Sequence, residues 1–207
     1  MSRGWPVRLQ DGRVGLRPFR ARDAVAWSEC RLRNEQWLAP WEGRPESQPD
    51  ATWAERHSLA VFGAMLRGMR REARAGRGLS VAITYDGRLA GQITASGIVR
   101  GAFDNAYVGY WVDGALAGRG ILPNALAMLV DHLMGPVGLH RVEANIRPEN
   151  AASLRVADKL GMRLEGHRER YLYIDGAWRD HLCFAVTREE IPDGLLAHWH
   201  AVRPGPA

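Results

Sequence analysis

The spacing of hydrophobic residues divides the chain into short strands and longer helices. Runs of β-branched and aromatic residues separated by polar turns predict strands, and apolar residues recurring every three or four positions predict helices. In chain order the pattern reads β-α-α-β-β-β-α-β-α-β-β over residues 14–190. This order predicts a single α/β domain of the α+β type, a mixed sheet with helices on both faces. Residues 1–13 are expected to form a lead-in and residues 191–207 a C-terminal tail.

Cap and turn residues set the boundaries of several elements. Asp23 is expected to cap the first helix, which runs to about Arg33. The capping box Thr52-x-x-Glu55 predicts a second helix that continues to Ala75. Asp86-Gly87 and Asp175-Gly176 each separate two strand-like runs, which predicts two hairpins.

A loop of small residues, Gly114 to Gly120, joins a predicted strand at Tyr107–Val112 to an apolar helix. Because Pro123 is tolerated only in the first turn of a helix, this helix should begin near Gly118–Gly120. Its first amides would then have no partner and would form an anion site. The loop lacks the Gly-Lys-Ser/Thr of a Walker A motif and the third glycine of a dinucleotide fingerprint. A tight strand-to-helix turn is the alternative interpretation.

Composition limits the class of protein. The chain has 207 residues, 46% of them hydrophobic, which suits one globular domain with a substantial core. No apolar run approaches the roughly 18 residues of a membrane span, so we expect a cytoplasmic protein with no membrane contact. Two distant cysteines without a CxxC pair fit a reducing compartment and argue against structural zinc.

The net charge of +5 does not by itself indicate a nucleic-acid partner. Lys159 is the only lysine, so the excess of positive charge comes from an arginine bias that can reflect genome composition. We therefore expect no direct binding to nucleic acid. Arginines 67, 70, 71 and 74 follow one face of the second predicted helix, and a solvated face is the favoured interpretation, with a docking surface as the alternative.

The element order and four short motifs resemble those of the GNAT acetyltransferase superfamily. The motifs are Leu16-Arg17-Pro18 with Asp23, Gly118-Arg119-Gly120, Arg147-Pro-Glu-Asn150-Ala-Ala-Ser153, and Lys159-Leu-Gly161-Met162. Within the superfamily the chain is similar to the Rim-type N-terminal (alanine) acetyltransferases of ribosomal proteins. The resemblance covers residues 14–190 and implies a mostly antiparallel sheet that splays at its centre.

The resemblance implies that acetyl-coenzyme A is the cosubstrate and that no metal is needed. Its pyrophosphate would be held by the amides of Gly118, Arg119, Gly120 and Ile121. The family pattern has Gln or Arg three residues before the first glycine, whereas this chain has Ala115, so one side-chain contact would be missing.

The pantetheine would lie between strands splayed at residues 110–113 and 141–146. It would pair there with the backbone of Trp111, Val112 and Asp113, and Asn150 would also contact it.

The resemblance places Ser153 beside the sulfur, where its hydroxyl would protonate the departing thiolate after direct attack by the amine. From the residues alone, Asn150 and Ser153 can also be a helix-capping pair, and the two interpretations are compatible. Glu143 is the first candidate for the base, with a salt bridge to a neighbouring arginine as the alternative. Further candidates for the base are Tyr110, Tyr171 and His181. His198-x-His200 is interpreted as incidental rather than a metal site.

The acceptor is expected to be a protein N-terminus, for example of a ribosomal protein. A small amine such as a polyamine or an antibiotic is the alternative, and a non-catalytic acyl-CoA-binding module is a third. The loop Trp37–Trp41 is expected to be a hydrophobic plug, with a lid over the site as the alternative. Monomer and homodimer both remain open.

Overall fold

Strands of the computed structural model, which describes residues 4–44, 46–47 and 51–203, form one eight-stranded sheet in the order β1-β2-β3-β4-β5-β6-β8-β7. The strands are β1 Leu9–Asp11, β2 Val14–Pro18, β3 Leu79–Tyr85, β4 Arg88–Val99, β5 Asn105–Val112, β6 Arg141–Ile146, β7 Arg163–Ile174 and β8 Ala177–Thr187. Among these strands all neighbours pair antiparallel except β5 and β6, which are parallel. The predicted mixed, mostly antiparallel sheet is confirmed.

Helices cover both faces of the sheet. They are α1 Ala24–Arg33, α2 Glu35–Leu38, α3 Trp53–Arg56, α4 Leu59–Arg74, α5 Ile121–Met134, α6 Ala151–Lys159 and α7 Leu195–Val202. Ala82 of β3 packs with Trp27 of α1 and Phe62 of α4. Its neighbours Val81 and Ile83 point to the opposite face and join the core that contains α5 and α7. Among the described residues, no helix has both the length and the apolar composition that crossing a membrane requires.

The centre of the sheet opens between β5 and β6. Their register covers three pairs at the start of each strand and ends at Tyr107 opposite Glu143. Beyond this point β5 remains paired with β4 as far as Val112, and β6 remains paired with β8 as far as Ile146. The expected splay is therefore present. On β6 it begins after Glu143, whereas the resemblance implies a splay along all of residues 141–146.

Both predicted Asp-Gly hairpins are confirmed. Asp86 and Gly87 have φ angles of 50° and 74°, and Asp175 and Gly176 have 51° and 73°. Two consecutive residues with positive φ are what a tight two-residue turn between right-twisted strands requires. These turns set the register of β3 with β4 and of β7 with β8 next to each turn, and β-bulges shift it farther along both hairpins.

The segment 52–75 forms two helices, so the expectation of one continuous helix is wrong. The capping box is present, because Thr52 accepts from the amide of Glu55 and the Glu55 carboxylate accepts from the amide of Thr52. However, α3 ends at Arg56. Ser58 then starts α4, because its hydroxyl accepts from the amide of Val61 and so competes with continuation of α3.

Asp23 precedes α1, as predicted, but its carboxylate does not cap the helix. It accepts two hydrogen bonds from the Arg17 guanidinium, at 2.7 and 2.9 Å, and one from the amide of Arg20. Paired charge-assisted bonds of this kind are stronger than a bond to a single helix amide. The motif Leu16-Arg17-Pro18 with Asp23 therefore ties β2 to the start of α1.

The folded unit extends past residues 14–190 on both sides. On the N-terminal side, β1 pairs with β2, and Val7 is fully buried. On the C-terminal side, α7 packs against α5 through Leu195 and Trp199, which are both buried. The two ends of the chain, residues 1–3 and 204–207, lie outside the described residues.

Helix α5 is buried on almost every side, as expected for a helix that is apolar all round. The sheet covers one side, and α7 covers another. The carboxylate of Asp131 fixes this arrangement, because it accepts from the first amides of α7, at 2.6 Å from Leu195 N and 3.0 Å from Leu196 N. The arginines on α4 at positions 67, 70, 71 and 74 are exposed, which agrees with a solvated helix face.

Replacing Trp199 with alanine should destabilise the protein strongly. Trp199 is 4% exposed, and truncation of a buried aromatic side chain typically costs about 3–5 kcal/mol. Val202 on the same helix is 49% exposed, so Val202→Ala should change the unfolding free energy by no more than about 0.5 kcal/mol. Urea denaturation of both variants checks this. Equal stability of the two would show that α7 does not contribute to the core.

Candidate active site

Three connected cavities fill the opening between β5 and β6. The central cavity has a volume of about 390 Å³, and the other two have about 140 Å³ each. One of these, the loop cavity, lies at the start of α5 and shares Val112 and Arg155 with the central cavity. The other, the hairpin cavity, lies against β7 and β8 and shares Tyr110 and Ser153 with the central cavity. Because the central cavity shares walls with both others, the three lie side by side along one cleft.

The loop cavity has the properties of an anion site. Gly118 and Gly120 have φ angles of 80° and 74°, and Gly120 begins α5 without a side-chain cap. The amides from Gly118 to Ile121 form no hydrogen bond to the described residues. Free amides at the positive end of a helix attract negative charge. Of the four predicted loop residues, Gly118, Gly120 and Ile121 line the cavity, whereas Arg119 is exposed and does not.

Two cations on α6, which sequence reasoning missed, also line the loop cavity. They are Arg155 and Lys159, four residues apart and therefore on one side of the helix. Neither forms an ion pair with another described residue. The sequence signal for these residues was a pair of basic residues four positions apart on the helix that Asn150 caps. These cations and the free amides give the loop cavity five or more donors for an anion.

Residues 37–44, which we call the strap, cross the cleft from one splayed strand to the other. Three contacts hold them: Trp37 Nε1 donates to the Val112 carbonyl at 3.2 Å, Arg147 Nη1 donates to the Pro40 carbonyl at 2.8 Å, and Gly43 forms a β-bridge with Ile174. Glu42 adds ion pairs with Arg31 and Arg56. The strap therefore closes one side of the opening.

The two tryptophans of the strap form walls of the cleft, so the expectation of a core plug is wrong. Trp37 is 40% exposed and lines both the central and the loop cavity. Trp41 lines the central and hairpin cavities, and the Arg147 guanidinium lies over its ring at 5.4 Å. The two tryptophans lie next to the splayed strands. The hydrophobic pattern of the sequence does not show that these strands part, so it could not show that the tryptophans face an opening.

Asn150 and Ser153 lie together at the junction of the central and hairpin cavities. The side chain of Asn150 caps α6, because its Oδ1 accepts from the backbone amide of Ser153 at 3.0 Å. The cap therefore uses the backbone of Ser153 and leaves its hydroxyl available to the cleft. Both sequence interpretations of this pair fit the geometry.

Tyr110 brings a second hydroxyl to the same junction. Its oxygen is buried and has no partner with hydrogen-bond geometry among the described residues. Burial raises the pKa of Tyr110 to about 12, and the nearby Ser153 hydroxyl acts in the opposite direction to a smaller extent. The phenol is therefore a proton donor over the whole neutral range. The sequence had given it only as a further candidate for the base.

Glu143 does not meet Ser153 in the cleft. It is 2% exposed, and its carboxylate accepts from Asn105, Arg141 and Arg168 at 3.1, 3.0 and 3.3 Å. It lines none of the three cavities. The alternative interpretation, a salt bridge to a neighbouring arginine, is what the structure contains. The alternation of β6 puts Glu143 on the face opposite Val142, and on that face it meets Arg141 of its own strand and Arg168 of β7.

Trp111 and Val112 line the central cavity, whereas Asp113 does not. The amide of Asp113 donates to the Ala90 carbonyl at 2.8 Å and so belongs to the sheet. Burial acts to raise the pKa of the Asp113 carboxyl, but hydrogen bonds from Arg33 and Asn34 hold it below its usual value. Asp113 therefore anchors the loop before α5, and the expected backbone contact with pantetheine is not available from its amide.

The remaining candidate residues lie in different places. His181 lines the hairpin cavity, and Tyr171 packs edge-on against it with ring centroids 5.6 Å apart. In the tail, His200 Nε2 lies 2.9 Å from the Asp11 carboxylate. Within residues 4–44, 46–47 and 51–203, no group of three or more His, Cys, Asp or Glu side chains is arranged to hold a metal ion.

Comparison with known proteins identifies the family. The model of the acetyltransferase (GNAT) domain matches residues 13–163. A structure of Mycobacterium smegmatis RimJ in complex with CoA-disulfide superposes with a TM-score of 0.92, at 43% identity over 97% of both chains. The [ribosomal protein uS5]-alanine N-acetyltransferase of Escherichia coli (strain K12) is 30% identical over 190 residues, 91% of this chain and 94% of that protein.

A further relative, the probable N-acetyltransferase YjcK of Bacillus subtilis (strain 168), is 39% identical over 105 residues. That match spans 51% of this chain and 58% of the relative. The family model, the similar structure and the full-length relative agree with each other and with the resemblance seen in the sequence. The chain belongs to the GNAT acetyltransferase family and is related to its RimJ-type ribosomal-protein acetyltransferases.

Proposed function

We propose that the protein transfers the acetyl group of acetyl-CoA to the N-terminal α-amine of a protein, in the cytoplasm, and that a ribosomal protein is the acceptor. The observation that carries this proposal is the single cleft between β5 and β6. It connects a helix N-terminus with free amides and two cations to two hydroxyls, the buried one of Tyr110 and that of the partly buried Ser153. Groups suited to phosphate binding and to acyl transfer thus line the same cleft.

Successive parts of the cleft match successive chemical parts of acetyl-CoA. The free amides of Gly118 to Ile121, with Arg155 and Lys159, match phosphate groups. The apolar walls of the central cavity, formed by Trp37, Val112 and Leu122 among others, match a pantetheine arm. Beyond Tyr107 and Glu143 the facing edges of β5 and β6 have no strand partner, so their backbone groups can pair with amides of a ligand.

The chemistry at the far end of the cleft needs a proton donor for the departing sulfur. The Ser153 hydroxyl and the Tyr110 phenol lie together where the central and hairpin cavities meet. In our proposal Ser153 gives its proton to the sulfur as the carbon–sulfur bond breaks, and Tyr110 supports it. Neither cysteine takes part, because burial raises the pKa of Cys30 to about 11 and also raises that of Cys183.

Charge in the cleft favours a protein N-terminus over a polycation. Two carboxylates line the central cavity, and each is already paired with arginine. Glu42 pairs with Arg31 and Arg56, and Glu149 pairs with Arg147 at 3.1 Å. A polyamine or an aminoglycoside would therefore meet no unpaired carboxylate among the described residues of the central cavity. The relatives support the same choice, since that of E. coli is a ribosomal-protein uS5-alanine N-acetyltransferase.

A thiol-release assay with acetyl-CoA tests the proposed acceptor. We expect N-terminal peptides of ribosomal proteins to stimulate release, and spermidine and an aminoglycoside to leave it near the background. Release with the small amines alone would establish the alternative acceptor. If calorimetry detects acetyl-CoA binding but no amine stimulates release, the protein is a non-catalytic acyl-CoA-binding module.

Replacing Gly118 with alanine should weaken acetyl-CoA binding about tenfold, or ~1.4 kcal/mol. The new methyl group would occupy the space through which phosphate oxygens approach the amides. Gly87→Ala is the matched control, because Gly118 and Gly87 have φ angles of +80° and +74° and neither would place a Cβ within 4 Å of another atom. Both variants should lose similar stability, about 1–2 kcal/mol, and only Gly118→Ala should lose affinity in calorimetry. Equal affinities would remove this loop from the binding site.

Replacing Ser153 with alanine should lower kcat by about 10²-fold or more, the usual contribution of a general acid. Its stability should stay near that of the wild type, because the cap uses the amide of Ser153 and not its hydroxyl. Asn150→Ala, in contrast, should lower the free energy of unfolding by about 1 kcal/mol, because the helix cap is missing. Steady-state kinetics and thermal unfolding of both variants check this. Normal turnover by Ser153→Ala would exclude the hydroxyl as the acid.

A further inference from the structure

A buried histidine in the cleft is not used by the roles proposed above. His181 lies on β8, is 2% exposed, and lines the hairpin cavity together with Tyr110 and Ser153. Its ring packs edge-on against Tyr171 of β7. The amine that attacks the thioester must lose a proton close to these hydroxyls, and Glu143 is committed to arginines outside the cleft.

Hydrogen bonding fixes which nitrogen of His181 can accept a proton. Nδ1 lies 3.0 Å from the backbone carbonyl of Arg179. A carbonyl oxygen only accepts, so Nδ1 carries the hydrogen and the neutral ring has its lone pair on Nε2. Nε2 forms no hydrogen bond to the described residues. The ring is thus held in the tautomer that a base requires.

The surroundings keep this ring neutral at physiological pH. Burial is the main cause that lowers the pKa of His181 below its ordinary value, and Arg147 acts in the same direction. The Arg179 carbonyl, Asp180 and Glu149 act against this to a smaller extent. Titratable or charged groups next to the ring also include Tyr171 and Arg168 on β7, Cys183 on β8, and Tyr110 across the cavity on β5.

Two groups in one cavity are therefore shifted in opposite directions. Tyr110 keeps its proton well above neutral pH, and His181 stays unprotonated down to pH values below its ordinary pKa. Two neighbouring groups whose pKa values are shifted apart in this way often serve as the acid and the base of one site.

We propose that His181 is the general base of the acetyl transfer. Its Nε2 accepts the proton that the acceptor nitrogen loses as the new carbon–nitrogen bond forms. The inference rests on the proposed function insofar as it requires an amine acceptor, but it holds for a peptide or a small amine alike.

The step balances with groups that the chain and its two substrates supply. The lone pair of the neutral amine forms the carbon–nitrogen bond, and the carbon–sulfur bond breaks with its electron pair on sulfur. His181 Nε2 takes one proton from nitrogen, and the Ser153–Tyr110 hydroxyl pair gives one proton to sulfur. The imidazolium then returns its proton to the hydroxyl pair. The net products are an amide and a thiol.

The test is the pH dependence of kcat in the wild type and in His181→Asn. Asparagine can keep a donor toward the Arg179 carbonyl but has no basic nitrogen. In the wild type, acid should protonate Nε2 and lower kcat with unit slope below the ordinary histidine pKa of about 6.5. We expect His181→Asn to lose about 10²- to 10⁴-fold in kcat together with this acidic limb. Its acetyl-CoA affinity should stay within about twofold of the wild-type value.

His167→Asn is the matched control. His167 lies on the neighbouring strand β7, is half-exposed next to Asp180, and lines none of the three cavities. Its kcat and pH profile should match the wild type. Added imidazole should restore part of the activity of His181→Ala, whereas a purely structural role of His181 would not respond to imidazole.

Nitrogen-15 NMR of the wild type provides a measurement that needs no variant. The Nδ1–H tautomer is expected for His181, and the Nε2–H tautomer would overturn the proposal. An unchanged kcat or a retained acidic limb in His181→Asn would also overturn it. If the wild type acetylates some amine and the variant equals it, only this inference fails. If the wild type acetylates no amine, the proposed function fails as well.

Discussion

The site depends on one interruption of backbone pairing, the parting of β5 and β6 after Tyr107 and Glu143. Unpaired backbone groups at the centre of a sheet are costly unless something else satisfies them. Below the parting, the buried carboxylate of Glu143 holds Asn105 of β5 and two arginines together. Above it, the strap spans the gap, and Trp37 donates to the carbonyl of Val112, which has no partner on β6. The opening thus lies between the ion pairs of Glu143 at one end and the strap along one side.

The parallel direction of this pair decides what meets in the opening. Among the described strands, β5 and β6 are the pair whose carboxyl ends lie at the same edge of the sheet. The chain leaves β5 into α5 and leaves β6 into α6, so the N-termini of both helices face the cleft. Ligand sites at the carboxyl ends of parallel strands follow the same rule in open α/β sheets. One helix contributes free amides, and the other contributes the Asn150–Ser153 turn and two cations.

Packing behind the cleft supports the loop that faces it. Trp199 of α7 lies directly behind Gly120, where an added Cβ would come within 3.2 Å of the indole. Asp131 holds α7 in place by capping its first turn. The C-terminal helix therefore restricts the position of the α5 N-terminus, although it contributes no residue to the three cavities.

The sequence by itself determined the features that depend on neighbouring residues. The Asp-Gly turns, the glycine loop before α5 and the Asn150 cap follow from local backbone preference, and the short motifs indicated the family. The tertiary structure decided what depends on contacts between distant segments. It placed Glu143 against Arg168 of β7, made Trp37 and Trp41 walls of a cleft, turned Arg155 and Lys159 toward the glycine loop, and enclosed His181 beside Tyr110. The period of a strand or helix tells which face a residue occupies, but only the packed fold shows what that face meets.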